Sequence, residues 1–365
     1  MNQRLQKLSS WLQHQNLDAA FVTSTPNVFY ISNFHCEPHE RLLGIFAFPE
    51  HEPILVCPKM EEGQARSAGW GYEIIGYSDT DNPWALIAAS LQKRGVQGEY
   101  IAIEKEHLNV ERYENIRALF PQASFTAAEA KLHELRMLKD EKELAILRQA
   151  AYMADLAIEI GVSQIAEGKT ELDVLASIEY ELKKQGIQKM SFDTMVLTGA
   201  NSALPHGTPG TNRIKHGDFV LFDLGVIIDG YCSDITRTVA FGAVTEEQKR
   251  IYNTVLAGQL QAVQACKPGT PLDAIDRAAR SLIEENGFGQ YFPHRLGHGL
   301  GISVHEYPSV TDANTTPLQA GMVFTIEPGI YVPGVGGVRI EDDVYITETG
   351  VELLTKYPKE LQIIK

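Results

Sequence analysis

Between Val220 and Val239 the chain reads VLFDLGVIIDGYCSDITRTV. Asp223 and Asp234 interrupt apolar runs that flank Asp229-Gly230, a strong hairpin-turn signal. With that pair as the loop, Ile228 pairs with Tyr231. Counting outwards sets Asp223 opposite Thr236 and diagonal to Asp234, so all three share one face. Diagonal neighbours lie about 7–8 Å apart at Cα. Two carboxylates at that spacing can converge on a pair of metal ions about 3.5–4 Å apart. The alternative is a solvated face, but both aspartates sit within otherwise apolar strands. Two anions turned to a buried side need something cationic to neutralise them.

Further blocks carry polar residues among glycines and apolar runs. Pro293 to Glu306, PHRLGHGLGISVHE, sets His294, His298 and His305 among Gly297, Gly299 and Gly301, which permit close backbone approach. In Phe324 to Tyr331, FTIEPGIY, Glu327 breaks an apolar run before Pro328-Gly329. In Val338 to Val344, VRIEDDV, alternation puts Arg339 and Glu341 on one face and Asp342 on the other. His206 lies in LTGANSALPHGTP, a Pro/Gly-rich loop, where a plain turn histidine is the alternative. Surface charge is the alternative for either glutamate alone. Oxygen ligands with one imidazole suit a divalent ion such as manganese, cobalt or zinc. The chain has no HExxH and no GxxxxGK[ST], and Gly-Val-Gly-Gly at 334–337 is too short for a dinucleotide fingerprint.

These blocks need elements to hold them. Leu5, Leu8, Trp11 and Leu12 recur at helical spacing, and Ala19–Thr23, Leu42–Phe48 and Ile54–Cys57 read as strands. Trp84–Arg94 and Val110–Leu119 read as helices on either side of an extended Tyr100–Ile103. The alternation predicts a small α/β domain over 1–128 and a second domain over 129–365, entered through a helix over about 139–160. Helix starts follow at Thr170 with Glu171 and Asp173, at Thr245 with Gln248, and at Thr270 with Pro271 in the first turn. Leu172-Asp173-Val174-Leu175 is echoed by Leu272-Asp273-Ala274-Ile275, each opening a helix that ends at a glycine, Gly186 or Gly287. The echo fits two similar half-domains.

At 365 residues the chain exceeds one ordinary core, which supports two domains. A formal net charge of −15 argues against nucleic acid and against anionic membrane surfaces as partners. No run of 18 apolar residues exists, and Met1–Leu12 lacks the apolar block of a signal peptide. Cys36, Cys57, Cys232 and Cys266 are scattered without CxxC, which fits free thiols in a reducing compartment; a cytoplasmic location is expected.

Taken together, the blocks resemble the pita-bread metallopeptidases: methionine aminopeptidase, aminopeptidase P and prolidase. The motifs cover roughly 135–365, and the extra N-terminal domain is similar to that of the aminopeptidase P/prolidase branch. The resemblance implies an α/β (α+β) chain, with a ribonuclease H-like, creatinase-like N-terminal domain and a pita-bread catalytic domain of pseudo-two-fold halves. It implies two divalent ions per chain, manganese first, with cobalt or zinc as alternatives. Asp223 would ligate one ion, Asp234 and Glu341 would bridge both, and His298 and Glu327 would complete the other. A metal-bridging water or hydroxide would be the nucleophile, with Glu327 shuttling its proton. His206 and His305 would hold substrate and stabilise the tetrahedral intermediate. His294 and Arg339 match supporting or substrate-side positions. A homodimer is implied, its N-terminal domain helping to close the partner's site.

Within the branch, length and GISVHEYPSVTDAN resemble the compact prolidases of Gram-positive bacteria, which cleave Xaa-Pro dipeptides. Many members carry Arg shortly after HExP, where this chain has Ser309; Arg295 resembles the residue that substitutes for it. A guanidinium gripping a free carboxylate would favour dipeptides. The loop 34–41, FHCEPHER, is expected to act as a lid, a solvated loop being the alternative. Two rival readings are an aminopeptidase P acting on longer peptides, and a binding or scaffold protein on an inactive peptidase fold or a metal-free relative such as creatinase. The second sits badly with five ligand positions all present.

Overall fold

The computed structural model describes residues 2–365 and contains two compact units, Met1–Arg136 and Met137–Lys365. The division falls beyond 128 because the helix Glu129–Met137 is tied into the first unit. Tyr30 Oη donates to the Leu135 carbonyl at 2.6 Å, and Arg136 Nη1 to Asn27 Oδ1 at 2.9 Å.

The first unit is a six-stranded mixed sheet in the order Glu73–Tyr77, Ile54–Pro58, Gly44–Ala47, Ala19–Val22, Tyr100–Ile103, Ser124–Ala127. The middle strands are buried at every position, so they read as continuous apolar runs instead of alternating ones. Their core includes Phe21, Phe46, Val56 and Ile101. Two elements lack the apolar periodicity that would announce them: the helix Thr25–Ser32, with Pro26 in its first turn, and the strand Glu73–Tyr77.

The second unit repeats one theme twice. Helices Glu141–Ser163 and Glu171–Lys184 pack on an antiparallel core of Met195–Thr198, Phe219–Leu224 and Ile235–Phe241 around Ile158, Ile178, Phe222 and Ile235. Helices Glu246–Ala265 and Leu272–Glu285 pack with the sheet containing Gly297–Gly299, Val323–Ile326 and Asp342–Ile346 around Ile251, Ile275, Phe324 and Val344. These are the two halves that the internal echo suggests. Thr236 and Glu341 form an isolated bridge that joins the two sheets.

The helix starts behave unequally. Thr170 with Asp173 and Thr245 with Gln248 form reciprocal capping boxes. Thr270 does not cap: the structure puts Pro271 at the cap with no side-chain hydrogen bond, and the helix opens at Leu272. Gly186 and Gly287 lie past their helices with φ of 89° and 84°, where a side chain would be strained. No helix of the described residues is long and apolar enough to cross a membrane. All four cysteines are buried, and the Cys232 thiol donates to the Ile302 carbonyl at 3.5 Å.

Candidate active site

The hairpin sets the first part of the site. Ile228 pairs with Tyr231 and Asp223 with Thr236, the register that the turn signal predicts. Asp229 and Gly230 adopt φ of 46° and 82°, both positive, as a type I′ turn requires. Asp223, Asp234 and Thr236 are all buried.

Glycine-assisted close approach builds the second part. A Cβ at Gly297 would lie 1.9 Å from the Thr325 carbonyl oxygen, and one at Gly299 would lie 2.4 Å from that of Tyr307. Only bare backbone fits there, so His298 is drawn against the strand Val323–Ile326 and donates its backbone N–H to Thr325 Oγ1 at 3.2 Å. From that strand's end, Glu327 Oε1 reaches 3.3 Å from His298 Nε2. Glu341 enters beside Thr236, whose hydroxyl donates to its Oε2 at 2.6 Å.

Ligand atoms of Asp234, His298 and Glu341 lie within 4.8 Å of one another. Glu327 adjoins them through His298. Asp223 is drawn to Arg339, which donates to its Oδ2. Among the described residues, one oxygen each of Asp223, Asp234 and Glu341 is buried with no hydrogen-bond partner. An orphaned buried carboxylate oxygen is costly, and three from residues lining one cavity fit a cation-binding site.

The electrostatics agree. Burial, then the charges of Glu341 and Asp223, push Asp234 well above the usual carboxylate range. Burial, then Glu327 and Asp223, do the same to Glu341. Burial also raises Asp223, although Arg339 pulls the other way. Glu327 is the exception: burial would raise it, but the hydrogen bond and charge of His298 prevail and lower it. Like charges crowded into low dielectric need a counter-charge to coexist.

A cavity of about 400 Å³ opens over this cluster, lined also by His206, His294, Arg295, His305, Tyr331 and Arg339. All ten residues that the sequence singles out thus meet at one place. The His298 and His305 rings stand edge to face with centroids 4.2 Å apart. Desolvation at the cavity wall and the neighbouring His298 and Arg295 push His305 down to about 4. Burial lowers His294 as well. Arg295 Nη1 reaches Ser309 Oγ at 3.4 Å.

Sequence reasoning missed Tyr331 and a buried ionic layer behind the ligands. Tyr331 Oη accepts from Arg339 Nη1 at 2.7 Å and lies 3.0 Å from His294 Nε2, joining two residues that were singled out separately. Its place two residues after Gly329, on a strand paired with Gly336–Arg339, is a period-two signal that could have found it. Behind the ligands, Arg237 Nη1 donates to the Glu341 carbonyl at 2.5 Å and Nη2 to Asp342 Oδ1 at 2.7 Å. Asp343 Oδ2 accepts the backbone N–H of Asp234 at 3.0 Å. These groups look like surface charges in sequence and are identified only by burial.

Residues 145–348 match metallopeptidase family M24, and residues 4–138 match the creatinase/prolidase N-terminal domain. The chain is 55% identical over 361 residues to a Bacillus subtilis protein named "Putative dipeptidase YkvY", covering 99% of each. Among solved structures it is similar to the prolidase from Pyrococcus horikoshii, at a TM-score of 0.91 and 37% identity over 99% of this chain and 100% of that one. It is also similar to the Xaa-Pro dipeptidase from Bacillus anthracis, at 0.92 and 35% over 99% of each.

Proposed function

Since the chain belongs to metallopeptidase family M24, we propose that it hydrolyses Xaa-Pro dipeptides at a site for two divalent ions held by Asp223, Asp234, His298, Glu327 and Glu341. The observation that carries this reading is the cluster of Asp234, His298 and Glu341 ligand atoms within 4.8 Å of one another, in a cavity that Asp223 and Glu327 also line. A divalent pair bound there would acidify water and polarise the peptide carbonyl. Manganese is the ion to test first, with cobalt and zinc next.

The residues around the cavity divide the remaining work. Glu327, held in its ionised form beside His298, takes a proton at its carboxylate. His305, neutral above pH 4, and His206 stand on the cavity wall as hydrogen-bonding partners for the substrate carbonyl. Arg339 orients Asp223 while anchored by Tyr331, and His294 anchors Tyr331 from the other side. Arg295 grips the substrate's C-terminal carboxylate. Its contact with Ser309 supports that role, because a guanidinium occupies the neighbourhood where Ser309 offers only a hydroxyl. A homodimer and a lid role for residues 34–41 belong to the same proposal.

The test is hydrolysis of Xaa-Pro against Xaa-Pro-Xaa peptides with added manganese. Preference for the dipeptide is expected. Preference for the tripeptide would make the protein an aminopeptidase P. No cleavage of either, together with well under two divalent ions per chain, would remove the proposal.

A further inference from the structure

Glu171 opens the helix Glu171–Lys184, where an acidic residue is favoured by the helix N-terminus alone. Its surroundings ask more of it. The side chain is 0% exposed, and its carboxylate turns towards a loop. Oε1 accepts the Thr198 backbone N–H at 2.7 Å and Asn201 Nδ2 at 2.9 Å. Oε2 accepts the Gly210 N–H at 2.7 Å, Asn201 Nδ2 at 3.0 Å and Asn212 Nδ2 at 3.1 Å. The backbone joins in, with the Glu171 N–H donating to the Asn212 carbonyl at 3.1 Å. One buried carboxylate therefore gathers donors from both ends of the segment 198–212.

That segment carries His206 on the cavity wall. Among the described residues the His206 ring has no hydrogen-bond partner, so its own side chain does not place it. Its position follows from the loop backbone. The loop's far side is tied by Gly337 N–H to Ser202 Oγ at 2.9 Å and by Arg339 Nη1 to the Pro205 carbonyl at 3.3 Å.

We propose that Glu171 is the positioning residue for His206, closing the 198–212 loop over the cavity so that the imidazole meets the substrate. This rests on the reading of His206 as a substrate-side group. Glutamine cannot replace the carboxylate. Either orientation of the amide turns its NH₂ towards N–H donors, Thr198 and Asn201 on one side or Gly210, Asn201 and Asn212 on the other. Donors left facing donors open the loop while the charge cluster over the metal ligands stays untouched.

The experiment compares the manganese-loaded unaltered protein, Glu171→Gln, His206→Ala and the double variant. It measures kcat and KM on an Xaa-Pro dipeptide, metal content, and amide hydrogen exchange. Glu171→Gln is expected to lower kcat by about tenfold or more, as misplacement of a reacting group does. KM and metal content should stay within about twofold, and exchange should quicken in 198–212 but not in 323–346. In the His206→Ala background the same substitution should cost less than about twofold, because two residues acting through one function do not add. Fully multiplicative losses, or a quickened loop with unchanged kcat, overturn the proposal. If Glu171→Gln does not fold, Asn201→Ala carries the same expectations, since it removes the donor shared by both carboxylate oxygens and leaves the helix intact. If the unaltered loaded protein cleaves no dipeptide, the functional reading falls alone. The exchange measurement still judges the clamp, and retained protection in Glu171→Gln overturns it.

Discussion

The hydroxyl of Thr236 donates to Glu341 Oε2 at 2.6 Å, and the two residues also pair through their backbones, Glu341 N–H to Thr236 O at 3.1 Å. A residue on the hairpin of one half thus orients a carboxylate from the other. Thr236→Val keeps the volume and removes the donor. Divalent-metal affinity should fall by about 10- to 100-fold, the usual effect of losing a ligand's hydrogen-bond partner. Thr236→Ser should retain most of it. Calorimetric titration of the metal-free protein with manganese measures both, and unchanged affinity in the valine variant would dismiss the role.

Metal removal should become more damaging as pH rises. Burial and mutual repulsion raise Asp234 and Glu341 in the metal-free fold. A raised carboxylate binds its proton more tightly folded than unfolded. The stability it contributes is complete below the unfolded pKa, about 4, and is lost as pH climbs towards the raised folded value. Metal ions replace those protons. The Tm difference between manganese-loaded and chelated protein should therefore widen from pH 5 to pH 7.5. A constant difference would count against the crowded-carboxylate account.

Arg295 should govern substrate length. A hydrogen-bonded ion pair to a substrate carboxylate is worth roughly 1.5–3 kcal/mol, so Arg295→Ala should raise KM for dipeptides by about 10- to 100-fold and change tripeptides little. Arg295 Nη1 lies 3.4 Å from Ser309 Oγ, so Ser309→Arg placed in the Arg295→Ala protein should restore part of the loss. Equal KM effects on both lengths would separate Arg295 from the carboxylate.

Arg237 should matter for folding more than for substrate. It is 1% exposed and donates to the carbonyls of Thr236, Glu341 and Tyr357 and to Asp342. Lys359 Nζ, Gln259 Nε2 and Thr355 Oγ1 complete the Asp342 shell at 2.6, 2.7 and 2.9 Å. Arg237→Met would leave a buried carboxylate short of a partner and the Glu341 and Tyr357 carbonyls without their donor, a loss of about 3–5 kcal/mol. Urea unfolding of the metal-free variant measures it, and a loss below about 1 kcal/mol would show that the network is dispensable.

Much of this protein was determined by local sequence. The Asp229-Gly230 turn sets a register, and a register sets the faces, so Asp223, Asp234 and Thr236 follow from counting along two strands. The capping boxes at Thr170 and Thr245 are likewise local, because all their partners lie within one turn. Thr270 was misread because Pro271 suits a helix start from either of two adjacent positions, and only packing chooses. The histidines and glutamates drew notice for their settings, yet nothing local says that His298 and Glu327 should meet Asp234 and Glu341. That depends on two half-sheets coming together at the Thr236–Glu341 bridge, between residues 105 positions apart. Burial decided the rest. Glu171, Arg237, Asp342 and Asp343 read as ordinary charges in the sequence. They became structural ties and candidate positioning groups when the fold removed their water and left only protein partners to replace it.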